Sequence, residues 1–189
     1  MSDQAIEIEL KFPLLNPEKL AINLDQIAKI KAMSLYQKDT YFIPKHRNFL
    51  AEKFPFEWLR IRETSEKAEI TYKHFYPERT LQHDYCEEDE TIISNPNAVK
   101  RIFQKLDFQE ILIVEKHRAT WLYQDVEIAI DHVSNLGTYL ELEAKREFSS
   151  VAVARDYLKK MQQEIGATVG SLELKGYPML SLEKSKLKQ

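Results

Sequence analysis

From Ile6 to Phe12 apolar and charged residues alternate without a break: Ile6, Ile8, Leu10 and Phe12 fall on one side, Glu7, Glu9 and Lys11 on the other. A period of two predicts a strand with chemically opposed faces. Two carboxylates on one such face lie about 7 Å apart, because a strand rises about 3.3 Å per residue. At an effective dielectric of about 20 their repulsion is about 2 kcal/mol. Water can screen that pair, or a cation can use it, and the rest of the chain decides between the two.

The pattern continues through the sequence. Pro13 and Asn16-Pro17 end the first strand, and Leu20, Ile22, Leu24, Ile27 and Ile30 predict a helix over about 17–31. Further strands are predicted over about 34–42, 56–62, 68–75, 82–93, 109–122, 125–133 and 138–147. Their polar faces carry Gln37, Asp39 and Tyr41, then Arg60 and Arg62, then Glu69, Thr71 and Lys73. Glu88 and Glu90 follow, then Lys116, Arg118 and Thr120, then Glu127 and Asp131, and finally Glu141, Glu143 and Lys145. Asn95-Pro96 opens a helix over about 96–106, with Val99, Ile102, Phe103 and Leu106 as its stripe. A third helix, about 150–165, aligns Val151, Ala154, Leu158 and Met161 and ends at Gly166. Asn135-Leu136-Gly137 makes a turn, and the lysine-rich end from about residue 183 reads as a flexible tail. There is no repeat and no linker, so residues 1–189 read as a single domain.

About eight mostly sequential strands with short connections predict an antiparallel sheet. Like charges recur two residues apart: Glu7/Glu9, Arg60/Arg62, Glu88/Glu90, Lys116/Arg118 and Glu141/Glu143. An ordinary solvent face would mix its polar residues, so the charged faces are expected to point inward. An α+β fold follows: an eight-stranded antiparallel closed β-barrel with a charged interior, and helices packed outside it. Carboxylates in number choose hard divalent cations, and clustered Lys and Arg choose phosphate. The interior is therefore a site for a metal–polyphosphate complex.

Composition narrows the classes. The net charge is −3 over 189 residues, which argues against a general nucleic-acid binder. Cys86 is the one cysteine, so no internal disulfide can form. With four glycines and neither the Walker nor the Rossmann pattern, glycine-loop phosphate binding is excluded. The start lacks a signal-peptide pattern and no apolar run has membrane-spanning length, so a soluble, cytoplasmic protein with no membrane partner is expected. His46, His74, His83, His117 and His132 are scattered without zinc-ligand spacing, and Trp58 and Trp121 read as core residues.

Glu7-x-Glu9-x-Lys11 resembles the signature of the CYTH superfamily, the triphosphate tunnel metalloenzymes, and so do later blocks in order. These are Gln37-x-Asp39-Thr40-Tyr41-Phe42, Leu59-Arg60-Ile61-Arg62, Thr71-Tyr72-Lys73, Glu88-x-Glu90, Glu115-Lys116-x-Arg118, Ile130-Asp131-x-Val133 with Leu136-Gly137, and Leu140-Glu141-Leu142-Glu143. The resemblance implies a tunnel barrel with Mg²⁺ or Mn²⁺ held by Glu7, Glu9, Asp131, Glu141 and Glu143. It implies a triphosphate held by Lys11, Arg60, Arg62, Lys73, Lys116 and Arg118, with Glu88, Glu90 and Glu127 as further tunnel acids. In triphosphatase members an opening lysine and a tyrosine activate water, and Lys11 and Tyr41 match those places. Where many members carry Ser-Tyr near the C-terminus, this chain has Lys175-Gly176-Tyr177.

Three functions are compatible with this resemblance. One is a class IV adenylate cyclase-like enzyme converting ATP to cyclic AMP and pyrophosphate. Another is a triphosphatase acting on thiamine triphosphate or inorganic tripolyphosphate. The last is a non-catalytic polyphosphate or nucleotide-binding module. A monomer or a homodimer is expected.

Overall fold

A computed structural model describes residues 5–187, and for residues 5, 6 and 30–33 the backbone only. The two ends of the expected single domain, including the last two residues of the expected tail, lie outside the described residues. The chain forms two compact units, each assembled from separated segments. The first takes Tyr36–Glu115 with the terminal segments up to Ile6 and from Lys175, and the second takes Glu7–Leu35 and Lys116–Leu174.

In the second unit, β2 (Glu9–Pro13) pairs antiparallel with β9 (Gly137–Ala144), β9 with β8 (Val126–Val133), and β8 with β7 (Phe108–Tyr123). The alternation sorts the side chains as the sequence requires. Leu10, Phe12, Trp121, Ile128, Ile130, Leu140 and Leu142 form one buried core. Helices α1 (Pro17–Ile27) and α3 (Val151–Glu164) supply Leu20, Leu24, Leu158 and Met161 to it. Each such leucine, fully buried, contributes about 1.5–3 kcal/mol. Pro17 starts α1 where its missing N–H costs nothing, and the Ser150 hydroxyl accepts from the Val153 N–H at 3.3 Å to cap α3. The β8–β9 turn places Asn135 at φ 63° and Gly137 at φ 121°, left-handed positions that these two residue types tolerate.

In the first unit, β3 (Ile30–Pro44) enters at Tyr36 and pairs with β4 (Glu57–Glu63), β4 with β5 (Ala68–Tyr76), and β5 with β6 (Tyr85–Ile92), all antiparallel. Helix α2 (Pro96–Lys105) packs Phe103 edge-on against Phe42 at 5.1 Å.

Three expectations need correction. The closed eight-stranded barrel is not formed: hydrogen-bonded strand order starts at β1 (Ala5–Glu7) and ends at β2, with no ladder joining these ends among the described residues. Among the described residues there are nine strands, because the first expected strand divides at Ile8. The first helix stops at Ile27 rather than near 31, since Ala28 turns extended and β3 starts at Ile30. Residues 183–186 of the expected tail close helix α4 (Tyr177–Lys186), where Glu183 accepts from Lys175 at 2.7 Å. Among the described residues no helix is long and apolar enough to cross a membrane.

Candidate active site

The polar face of the second unit is organised by strand register. Residues directly opposite on neighbouring strands share a face with their Cβ atoms about 5 Å apart. Lys11 stands opposite Glu141, and Arg118 opposite Asp131. One step further along, Glu9, Glu143 and Glu127 stand in a row across β2, β9 and β8.

Asp131 is fully buried, and only a dense set of donors makes that tolerable. Arg118 grips it with two bonds, Nε to Oδ1 at 2.7 Å and Nη2 to Oδ2 at 2.6 Å. The Lys116 ammonium adds a third at 2.9 Å. Burial pushes the Asp131 carboxyl up, but Arg118 and then Lys116 outweigh it and hold the group well below the usual carboxylate range. Arg118 also reaches Glu141. Burial raises the Glu141 carboxyl too, yet Arg118, helped by Lys116 and Lys11, brings the net shift below normal. Lys11 and Lys116 are themselves buried, at 5% and 2% exposure.

The glutamate row behaves in the opposite sense. Burial and the nearby Glu7 raise the Glu143 carboxyl, with Glu127 adding to the effect, although Lys145 opposes it. The Lys145 ammonium lies 2.6 Å from Glu143 and 3.5 Å from Glu127.

A second charged face belongs to the first unit. Asp39 accepts two bonds from Arg62, both at 2.7 Å, and lies 3.6 Å from Arg60. Arg60 lies 3.7 Å from Glu88 and 3.8 Å from Glu90. Lys73 pairs with Glu88 at 3.1 Å, and the Thr71 hydroxyl donates to Glu90 at 2.9 Å.

Tyr41 stands opposite Arg60, with its ring edge-on to Trp58 at 5.7 Å. Burial first, then Asp39, push its hydroxyl up to about 12 against the pull of Arg60, Arg62 and Lys73. At neutral pH this phenol is an O–H donor. Because its folded pKa lies above the unfolded value of 10.0, the stability it contributes is present below pH 10 and lost as pH rises toward 12. The loss amounts to about 3 kcal/mol. Tyr41→Phe is therefore expected to flatten the alkaline fall in thermal stability, read as the difference between the melting curves of variant and wild type.

Sequence reasoning placed most of these residues on their strands. It left out Asp39, which bonds Arg62 and lies 3.6 Å from Arg60, and Lys145, which sits inside the glutamate row. Both had a signal, since each lies two residues from an assigned residue, Tyr41 and Glu143. His117 and His132 face each other in register and are exposed, off the charged face.

Glu7, Glu9, Asp131, Glu141 and Glu143 supply oxygen donors only, the set that hard divalent cations prefer. Among the described residues no three acidic, His or Cys side chains gather as a ready metal-holding group. Three glutamates in one cross-strand row are nonetheless mutually repulsive, and a divalent cation would relieve that repulsion. The donor chemistry fits such an ion.

The CYTH domain model matches residues 5–177. The chain belongs to the CYTH domain family. A Methanocaldococcus jannaschii protein named "Putative adenylate cyclase" is 30% identical over 162 residues, covering 86% of this chain and 89% of its own length. Among solved structures, the PH1819 protein of Pyrococcus horikoshii OT3 is similar at 26% identity with a TM-score of 0.76, over 94% of this chain and 99% of that one. A Hippeastrum protein named "Putative adenylyl cyclase", with a dominant triphosphatase activity, shares the fold at 18% identity and a TM-score of 0.62, over 96% of this chain and 95% of that one. The family match and these relatives, named for adenylate cyclase and triphosphatase activity, support an enzyme.

Proposed function

We propose that this CYTH protein is a divalent-metal-dependent, class IV adenylate cyclase-like enzyme that converts ATP to cyclic AMP and pyrophosphate. The observation that carries the substrate class is the largely buried group Lys116, Arg118, Asp131 and Glu141 beside Lys11, which gathers three cations on one face. Neutralising such a face suits a polyanion. The specific reaction is supported by the 30% identical relative and its name.

In this reading Lys11, Lys116 and Arg118 hold phosphate oxygens in the second unit. Arg60, Arg62 and Lys73 do the same in the first, where Tyr41 donates a hydrogen bond. Phosphoryl chemistry asks mainly for such positioning and charge stabilisation, because little covalent help is needed. A Mg²⁺ or Mn²⁺ ion bound by Glu7, Glu9, Asp131, Glu141 and Glu143 would neutralise charge on the phosphates. Arg118 favours the ionised form of Asp131 and of Glu141, the form in which a carboxylate offers oxygen donors. In cyclisation the ribose 3′-hydroxyl attacks the α-phosphorus, its proton passes to solvent water, and pyrophosphate leaves with the electrons of the broken P–O bond.

Hydrolysis of thiamine triphosphate or tripolyphosphate is a second reading, favoured by the match of Lys11 and Tyr41 to the family's water-activating pair. Purified protein incubated with ATP, thiamine triphosphate and tripolyphosphate, with Mg²⁺ and with Mn²⁺, separates the two. Cyclic AMP with pyrophosphate supports the first reading. Orthophosphate from any of the three overturns it in favour of the second, and binding without turnover leaves a non-catalytic module.

A further inference from the structure

Lys145 is the cation of the glutamate row, and the proposed chemistry does not use it. It follows β9 directly, one residue past Ala144 and two past Glu143, with its backbone N–H bonded to the Asp125 carbonyl at 2.9 Å. Register brings Glu9 and Glu127 opposite Glu143 from the two flanking strands. The Lys145 ammonium reaches back into this row, 2.6 Å from Glu143 and 3.5 Å from Glu127, and is only partly exposed. It offsets the repulsion among carboxylates about 5 Å apart, with Glu7 close by.

We infer that Lys145 is an internal counter-ion of the metal site: its ammonium occupies the Glu9–Glu143–Glu127 row in the metal-free protein and swings out when a divalent cation enters. The inference rests on the metal-dependent reading above. A lysine suits this role better than a buried arginine would, because a single ammonium on a long flexible stem leaves a site more readily than a bidentate guanidinium. Its partial exposure gives it somewhere to go. Asp131 contrasts with this arrangement, since three short bonds from Arg118 and Lys116 fix its counter-charges in place. Lys145 thereby sets how tightly the row competes for metal, acting through Glu143 as a positioning residue.

The test is titration of the metal-free full chain with Mn²⁺, followed by electron paramagnetic resonance of the free ion and by thermal melting. Lys145→Gln is expected to bind Mn²⁺ roughly tenfold more tightly than wild type, because one competing charge is gone. Its metal-free form should melt lower than wild type, and its gain in melting temperature on adding Mn²⁺ should be larger. Lys145→Arg, which keeps the charge, should bind Mn²⁺ no more tightly than wild type. Equal or weaker Mn²⁺ binding by Lys145→Gln, with wild type still binding the ion, overturns the role of Lys145 alone. Absence of Mn²⁺ binding in every form overturns the metal-dependent reading and this inference with it.

Discussion

Asp131→Asn is expected to lower the free energy of unfolding by about 3–5 kcal/mol, the cost of removing one partner from a buried ionic group. The asparagine keeps the shape of the side chain, so the loss is electrostatic. Lys116, 2% exposed, would keep its charge with its bonded carboxylate gone, and Arg118 would lose its two bonds to Asp131. For a chain of this length the change corresponds to a fall in melting temperature of roughly 10 °C. Thermal unfolding measures it, and a second variant isolates the cause. Adding Lys116→Met to Asp131→Asn should recover part of the loss, because the stranded ammonium is then removed as well. A loss below about 1 kcal/mol for the single variant would mean that the Asp131 network does not hold the second unit together.

Glu9→Gln should have the opposite signature, with a large loss of activity and little change in stability. Glu9 stands opposite Glu143 in a row of like charges, so neutralising it relieves repulsion along that row. The melting temperature is expected to hold or rise slightly. Turnover of the triphosphate substrate should fall at least about a hundredfold, the scale on which removing one charge-stabilising group acts. Steady-state rates at saturating Mg²⁺, alongside a melting curve, give both readings. Full activity in this variant would remove Glu9 from the metal site.

Much of this could be read from the chain because alternation is a local signal. The strands around Arg60, Lys73 and Glu141 follow directly from apolar neighbours such as Ile61, Tyr72 and Leu142, and they are found where the period of two puts them. The like-charge pairs were equally visible. What they face was not, because opposition is set by register: Arg118 meets Asp131, Lys73 meets Glu88, and Glu9 meets Glu143 only through ladders between separate segments.

The same limit explains the expected barrel. Closure depends on which strands pair at the two ends of the order, and no residue type encodes that.

Helix α1 was drawn too long since Ile30 extends its apolar stripe, with neither glycine nor proline after Ile27 to stop it. Helix α4 was missed for the opposite reason: its residues have no apolar stripe to follow. The Pro178 at its start was the available signal.

Incubation of the protein with ATP and Mg²⁺ in ¹⁸O-labelled water, with products analysed by mass spectrometry, bears most directly on the proposed reaction. Cyclisation uses the substrate's own hydroxyl, so the expected products are unlabelled cyclic AMP and unlabelled pyrophosphate, and chelation of the metal should abolish both. Labelled orthophosphate as the product, or ATP left intact, would contradict it.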